Sequence, residues 1–260
     1  MSKILAITNQ KGGVGKTTTT VNLAASLVAA QQRVLLIDLD PQGNATMGSG
    51  IEKRDLQATV YDVLIERKTI AQARQAAGAG GYDVLPANRE LAGAEIELVD
   101  VINREMRLRD ALQAVISEYD YVLIDCPPAL NLLTLNGLCA AKTVMIPMQC
   151  EYYALEGLSD LVNTIRKVRA NLNPVLEIEG LLRTMFDPRN ALAQQVSAQL
   201  EEHFGDKVYK TVIPRNIRLA EAPSYGVPAL MHDKTSKGTT AYLALAAEML
   251  QPYTPITAAL

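Results

Sequence analysis

Thr8-Asn9-Gln10-Lys11-Gly12-Gly13-Val14-Gly15-Lys16-Thr17-Thr18 stands between a short apolar run, Ile4 to Ile7, and a long alanine- and leucine-rich segment. The succession reads as strand, glycine loop, helix. Glycines permit the tight turn that aims several backbone N–H groups into one cavity, and the opening of the next helix adds partial positive charge. Such a loop accommodates a polyphosphate. The expected cradle runs from Lys11 through Gly12, Gly13, Val14, Gly15, Lys16, Thr17 and Thr18. Lys16 would reach the β- and γ-phosphates and the Thr17 hydroxyl would ligate the accompanying Mg²⁺.

The usual phosphate-loop pattern begins with a glycine where this chain has Gln10, and a second lysine, Lys11, stands five residues before Lys16. This K-G-G-x-G-K-T-T arrangement resembles the deviant Walker A loop of the ParA/MinD family of ATPases. The resemblance implies that Lys11 reaches across a dimer interface to the phosphates bound by the partner subunit.

Two further strand ends carry acids. Val34-Leu35-Leu36-Ile37-Asp38-Leu39-Asp40-Pro41-Gln42-Gly43-Asn44 is a buried-strand pattern stopped by a proline. In an open α/β sheet the carboxyl ends of the strands line the ligand crevice. Asp38 and Asp40 therefore emerge beside the phosphate loop if their strand neighbours the first one. One acid can orient the water shell of a metal and the other can position an attacking water, and Asp38 is expected to hold Mg²⁺ through water. The D-x-D-P-Q-G-N string also resembles the second ParA motif, which makes Asp40 the residue expected to support hydrolysis. Tyr121-Val122-Leu123-Ile124-Asp125-Cys126-Pro127-Pro128 has the form of a Walker B strand, with Asp125 expected to hold Mg²⁺ through water opposite Thr17. The proline pair stiffens a candidate switch loop.

Alternating β-like and α-like stretches predict one doubly wound, mostly parallel sheet with helices on both faces. The predicted strands are Lys3 to Thr8, Arg33 to Asp38, Tyr82 to Pro86, Tyr121 to Asp125, Thr143 to Pro147, Ile178 to Met185 and Val208 to Ile213. Predicted helices span Lys16 to Ala30, Met106 to Ser117, Tyr153 to Asn171, Ala191 to His203 and Thr239 to Leu250. The alanine- and glycine-rich piece Ala71 to Gly81 reads as a flexible loop or short helix pair. With no Pro/Gly/Ser-rich linker or internal repeat, residues 1–260 are read as a single P-loop ATPase domain.

Thr184-Met185-Phe186-Asp187-Pro188-Arg189 and Ile213-Pro214-Arg215-Asn216-Ile217-Arg218-Leu219-Ala220-Glu221-Ala222-Pro223-Ser224-Tyr225-Gly226 resemble the chromosomal, Soj-like ParA subgroup. The resemblance then covers essentially the whole chain. It implies that Pro214 and Asn216 meet an adenine, and that Arg189 and Arg218 contribute to binding DNA. Between Asn163 and Arg218 nine Lys/Arg face six Asp/Glu, although the chain as a whole carries −3. A local basic surface is therefore expected. Contacts of this kind go to phosphates and carry little sequence preference.

Composition removes several classes. About 48% of residues are hydrophobic, enough for a large core, and no run has the roughly 18 apolar residues of a membrane helix. Met1-Ser2-Lys3 leads directly into the first strand, so no signal peptide, transit segment or N-terminal helix-turn-helix domain is expected, and the expected location is cytoplasmic and nucleoid-associated. Cys126, Cys139 and Cys150 form no C-x-x-C pair and read as buried free thiols, against a cluster-bearing relative such as the nitrogenase iron protein. Glu248 to Leu260 contains two prolines and no lysine or arginine, unlike the basic amphipathic tail of MinD, so no membrane partner is expected.

Taken together, the resemblance implies a Mg²⁺-dependent ATPase of slow turnover that partitions chromosomes or a low-copy replicon. Two subunits would sandwich ATP, bind double-stranded DNA nonspecifically, and be released by hydrolysis that a ParB-like centromere-binding protein stimulates. The alternative within the superfamily is a nucleotide-gated adaptor that positions a protein cargo. A ligase coupling ATP to carboxylate activation is a third reading, weakened by the absence of an extra substrate domain.

Overall fold

The structure is a computed structural model, and it describes residues 2–251. Seven strands form one sheet: β1 (Lys3–Ile7), β2 (Val34–Asp38), β3 (Gln75–Ala76), β4 (Asp83–Leu85), β5 (Tyr121–Asp125), β6 (Thr143–Gln149) and β7 (Glu177–Thr184). Their spatial order is β3-β4-β2-β5-β1-β6-β7. All neighbours run parallel except β3, which pairs antiparallel with β4 at one edge.

Central position explains composition. Every residue of β2 and β5 is buried, as required of strands covered on both faces. One face packs on helices Lys16–Ala29 and Lys237–Leu250 through Leu5, Leu23, Leu27, Leu36, Tyr242 and Leu245. Helices Arg107–Leu112, Leu132–Ala140, Ala154–Asn171 and Ala191–Phe204 cover the other through residues such as Leu108, Leu138, Ile165 and Leu200. This is the doubly wound, mostly parallel arrangement expected from the alternation of patterns.

One arrangement differs from the conditional expectation for Asp38. The β2 strand does not neighbour β1, because β5 lies between them. Asp38 pairs in register with Asp125, and Asp125 pairs with Ile7, so three adjacent strands end at one level. The acids reach the site from the far side of the Walker B strand.

Residues Val208 to Ile213 do not form the predicted strand. Bridges to β7 are confined to isolated contacts, such as Leu181 with Val208. The intervening backbone is satisfied by side chains: the amides of Lys210 and Thr211 donate to the Glu248 carboxylate at 2.7 and 2.9 Å, and the Arg183 guanidinium donates to the Tyr209 carbonyl at 2.7 Å. These long-range partners replace a strand ladder. Residues Met106 to Ser117 likewise contain only a six-residue helix, Arg107–Leu112, flanked by tighter turns. The Ala71 to Gly81 stretch supplies the edge strand β3, after a short helix Ile70–Ala73. Sequence reading also passed over the helix Leu132–Ala140, whose nearly all-apolar character hides the 3.6-residue period. Residues 252–260, most of the segment read against a membrane tail, lie outside the described residues. Among those described, no helix is long and apolar enough to cross a membrane.

Candidate nucleotide site

The loop after β1 turns on two glycines with positive φ, Gly13 at 74° and Gly15 at 89°. A side chain at either would strain the backbone that opens the helix Lys16–Ala29. That helix has no acid in its first turn, leaving its N-terminal amides and partial positive charge available to an anion. The loop is tied from three sides. Asn9 donates through Nδ2 to the Pro147 carbonyl at 2.8 Å, its Oδ1 accepts the Lys11 amide at 3.0 Å, and the Thr184 hydroxyl donates to the Val14 carbonyl at 2.7 Å. Lys16 arches over the loop and donates through Nζ to the Lys11 carbonyl at 3.1 Å.

Beneath the loop, Thr17 Oγ1 donates to Asp125 Oδ2 at 2.7 Å and Thr20 Oγ1 to Asp125 Oδ1 at 3.2 Å. Asp38, fully buried, accepts at Oδ2 from both the amide and hydroxyl of Thr46 at 2.8 Å, and at Oδ1 from the Asp40 amide at 3.1 Å. Thr46 Oγ1 in turn accepts the Ala87 amide at 2.9 Å. Asp40 is half-buried and faces the cavity.

Burial holds the Asp38 and Asp125 carboxyls above the ordinary aspartate range, with added repulsion from Asp40 on Asp38 and from Asp38 and Asp40 on Asp125, opposed by the donors just named. Burial lowers the Lys16 ammonium, although Asp125 and Asp40 pull it back. Three acids thus converge where one buried lysine supplies local positive charge. Among the described residues no group of three His, Cys, Asp or Glu side chains could by itself hold a metal ion. The donor set does suit Mg²⁺, which keeps much of its water shell and is bound through one or two protein oxygens together with substrate phosphates. Thr17 and Asp125 are placed to provide those oxygens.

A cavity of about 420 Å³ extends from Gly12, Gly15 and Lys16 past Asp40 to Pro214, Asn216 and Tyr242. Its size falls in the range of small-molecule sites. Pro214 and Asn216, read from sequence as adenine neighbours, therefore share one cavity with the phosphate loop. Asn216 also caps the helix Ile217–Glu221 by accepting the Arg218 amide at 3.0 Å. Residues not singled out in the sequence include Thr20, Thr46, Thr184 and Tyr242. Thr184 belongs to a quoted motif, but the hydroxyls of Thr20, Thr184 and Tyr242 act through contacts over 100 residues away and Thr46 reaches Ala87 41 residues on, which leaves no local pattern.

Other nominated residues lie outside the cavity. Lys11 is exposed and paired with Glu151. Arg189 is 88% exposed and bonded to Asp187 through two nitrogens at 3.0 and 2.8 Å. Arg218 is half-exposed and paired with Glu221 at 2.8 Å and Asp233 at 3.3 Å. Arg183, counted in the basic excess, is buried against Glu201 and adds nothing to a surface patch. All three cysteines are free and buried, and burial raises each thiol above its ordinary pKa.

A glycine loop at the end of a central parallel strand, leading into a helix and flanked by a strand-end aspartate, defines a P-loop nucleotide-binding fold. A family model described as "AAA domain" matches residues 2–178. The chain is 57% identical over 249 residues to the sporulation initiation inhibitor protein Soj of Bacillus subtilis, covering 96% of this chain and 98% of that protein. It is 51% identical to the chromosome partitioning protein ParA of Myxococcus xanthus, covering 98% and 90% respectively. Among solved structures, cobyrinic acid a,c-diamide synthase from Mycobacterium smegmatis with bound ADP and magnesium superposes with a TM-score of 0.85 at 38% identity, covering 96% of this chain and 94% of that one. The chain belongs to the ParA/MinD superfamily, with the Soj-like chromosome-partitioning ATPases.

Proposed function

We propose that this protein is a Mg²⁺-dependent ATP switch for chromosome or low-copy replicon partitioning. The observation that carries the reading is one continuous cavity joining the Lys16–Thr17 loop, Asp40 and the Pro214–Asn216 turn. A nucleoside triphosphate lies there with its phosphates on the loop amides and its base at the turn. The Thr17 hydroxyl and, through water, Asp125 would hold the Mg²⁺, which would supply charge neutralisation to the β- and γ-phosphate oxygens. Lys16 neutralises the same oxygens from within the subunit, and Lys11 does so from a second copy once its pairing with Glu151 is released. Asp40 orients the attacking water. Asp38 serves the site from below by fixing Thr46 and the Asp40 amide.

In this reading the ATP-bound dimer binds double-stranded DNA through Arg189 and Arg218 with little sequence preference, and a ParB-like partner stimulates hydrolysis and release. Support comes from the family and from the exposure of both arginines. Binding to random-sequence duplex DNA, measured with ATP, ADP and no nucleotide across a salt series, tests it. ATP-dependent, salt-sensitive binding that Arg218→Glu removes is expected. A protein that dimerises with ATP but ignores DNA in every condition is instead the cargo-positioning adaptor. Formation of an amide product from a carboxylate substrate would point to a synthase like the structural neighbour.

A further inference from the structure

An edge of the sheet is formed by β7, and residues 208–214 run along it as a strap, in the same direction, bridged at Leu181 with Val208 and at Phe186 with Pro214. Between those bridges the strap advances six residues while β7 and the two residues after it advance five, so the two cannot stay in register. Backbone bonds hold the ends: the Tyr209 amide donates to the Leu181 carbonyl at 3.1 Å and the Ile213 amide to the Arg183 carbonyl at 2.9 Å. An interruption of this kind leaves amides and carbonyls to be satisfied from elsewhere.

Two side chains close the gap. Glu248 accepts the Lys210 amide at Oε1 (2.7 Å) and the Thr211 amide at Oε2 (2.9 Å), one oxygen for each. Buried Arg183 donates through Nη2 to the Tyr209 carbonyl at 2.7 Å, and through Nη1 to the Ser197 hydroxyl at 2.7 Å and to Glu201. Glu248 is the only acid of the helix Lys237–Leu250, and it stands in the last turn, where negative charge opposes the helix dipole. Its placement serves the strap rather than the helix. Three residues beyond Thr211 the strap enters the turn at Pro214 and Asn216, which lines the cavity.

We propose that Glu248 and Arg183 are positioning residues for the nucleoside base, fixing the turn at Pro214 and Asn216 against the phosphate loop, an inference that rests on the nucleotide reading above. Neither residue lines the cavity, yet each sits on an element tied to the loop. Thr184, the neighbour of Arg183 on β7, donates to the Val14 carbonyl at 2.7 Å, and alternation along the strand sends the two side chains to opposite faces. Tyr242, six residues before Glu248, lines the cavity and meets the Thr19 hydroxyl at 3.1 Å. The spacing between base turn and phosphate loop is thereby set by β7 and the last helix. A carboxylate suits two successive amides because both its oxygens accept, whereas glutamine turns an N–H group toward one of them. Loosening this grip frees the turn and leaves Lys16, Thr17 and Asp40 in place.

The test measures, by calorimetry with Mg²⁺ and the full chain, binding of ADP, GDP and inorganic pyrophosphate, none of which has a γ-phosphate to transfer. The variants are Glu248→Gln and Arg183→Lys, and Asp120→Asn, which removes a surface ion pair with Arg33, is the control. Wild type should bind ADP more tightly than either GDP or pyrophosphate. Each variant should weaken ADP about threefold to tenfold, as loss of one ordinary hydrogen bond does, with pyrophosphate unchanged and the preference over GDP reduced. A purely structural effect lowers the melting temperature and the active fraction but leaves the ADP-to-pyrophosphate ratio alone, as the control should. Deuterium exchange follows the strap directly: the Lys210 and Thr211 amides should be protected in wild type and exchange faster in Glu248→Gln. Unchanged affinity ratios in both variants, or unprotected Lys210 and Thr211 amides in wild type, would overturn the positioning role. A wild-type protein that binds pyrophosphate as tightly as ADP would instead overturn the reading that puts the base at this turn.

Discussion

Thr46 donates its amide and its hydroxyl to the same oxygen of Asp38, each at 2.8 Å, while that hydroxyl accepts the Ala87 amide. The buried Thr46 hydroxyl thereby joins Asp38, eight residues before it, to the backbone at Ala87, 41 residues after it. The contact holds the loop between β2 and the helix Asn44–Gly48, and that loop carries Asp40 into the cavity. Replacing Thr46 with valine leaves the Ala87 N–H without its acceptor and Asp38 with one donor fewer. We expect a stability loss of about 1–3 kcal/mol, the cost of unsatisfied buried groups. Hydrolysis should fall more than nucleotide affinity. Chemical denaturation together with single-turnover ATPase measurements would show it, and an unchanged rate would detach Thr46 from positioning Asp40.

Lys11 makes a different prediction because its ion pair is on the surface. Both side chains of the Lys11–Glu151 pair are about half exposed (48% and 51%), so the pair contributes less than about 1 kcal/mol. Lys11→Ala should therefore leave folding and monomer nucleotide binding nearly intact while blocking the ATP-dependent dimer. Light scattering with and without ATP checks this. Persistence of the dimer would remove Lys11 from the cross-subunit role.

The Asp40 carboxylate makes one hydrogen bond among the described residues, accepting the Gln42 amide at 2.9 Å. Asp40→Ala should lower the rate of hydrolysis at least tenfold, with ATP affinity and thermal stability little changed, because the side chain faces the cavity rather than the core. The ATP-bound dimer should remain on DNA. Normal turnover would place the water-orienting role elsewhere.

A pH dependence follows from Asp125. Burial, then repulsion from Asp38, raises its pKa from the ordinary 3.8 to about 8 in the folded protein. The folded state thus holds this proton more tightly than the unfolded state, and the contribution to stability falls as pH rises through that window. Asparagine does not titrate there. In the nucleotide-free protein the melting temperature of Asp125→Asn, taken relative to wild type, should rise steadily between pH 4.5 and 8. A flat difference across that range would show that Asp125 is ionised throughout.

Lys16→Ala should abolish nucleotide binding outright. Its ammonium is the buried cation over the loop, bonded to the Lys11 carbonyl at 3.1 Å. Equilibrium binding of a fluorescent ATP analogue reads the effect directly, and retained tight binding would contradict the phosphate role.

The primary sequence determined what is local: the glycine loop, the two acid-bearing strands and the alternation that makes a doubly wound sheet, because backbone freedom, strand burial and helix periodicity are written in neighbouring residues. It also marked Pro214 and Asn216 through their motif. Tertiary structure alone decided that β5 lies between β1 and β2, bringing Asp38 beside Asp125. It turned Asp38 toward Thr46 while Asp40 entered the cavity, and it replaced a predicted strand at Val208 to Ile213 with backbone bonds to Glu248 and Arg183. Strand order and the partner of a buried carboxylate depend on which distant segments pack together. That choice is made by the whole core, where each buried polar atom must find a partner and no neighbouring residue specifies which one.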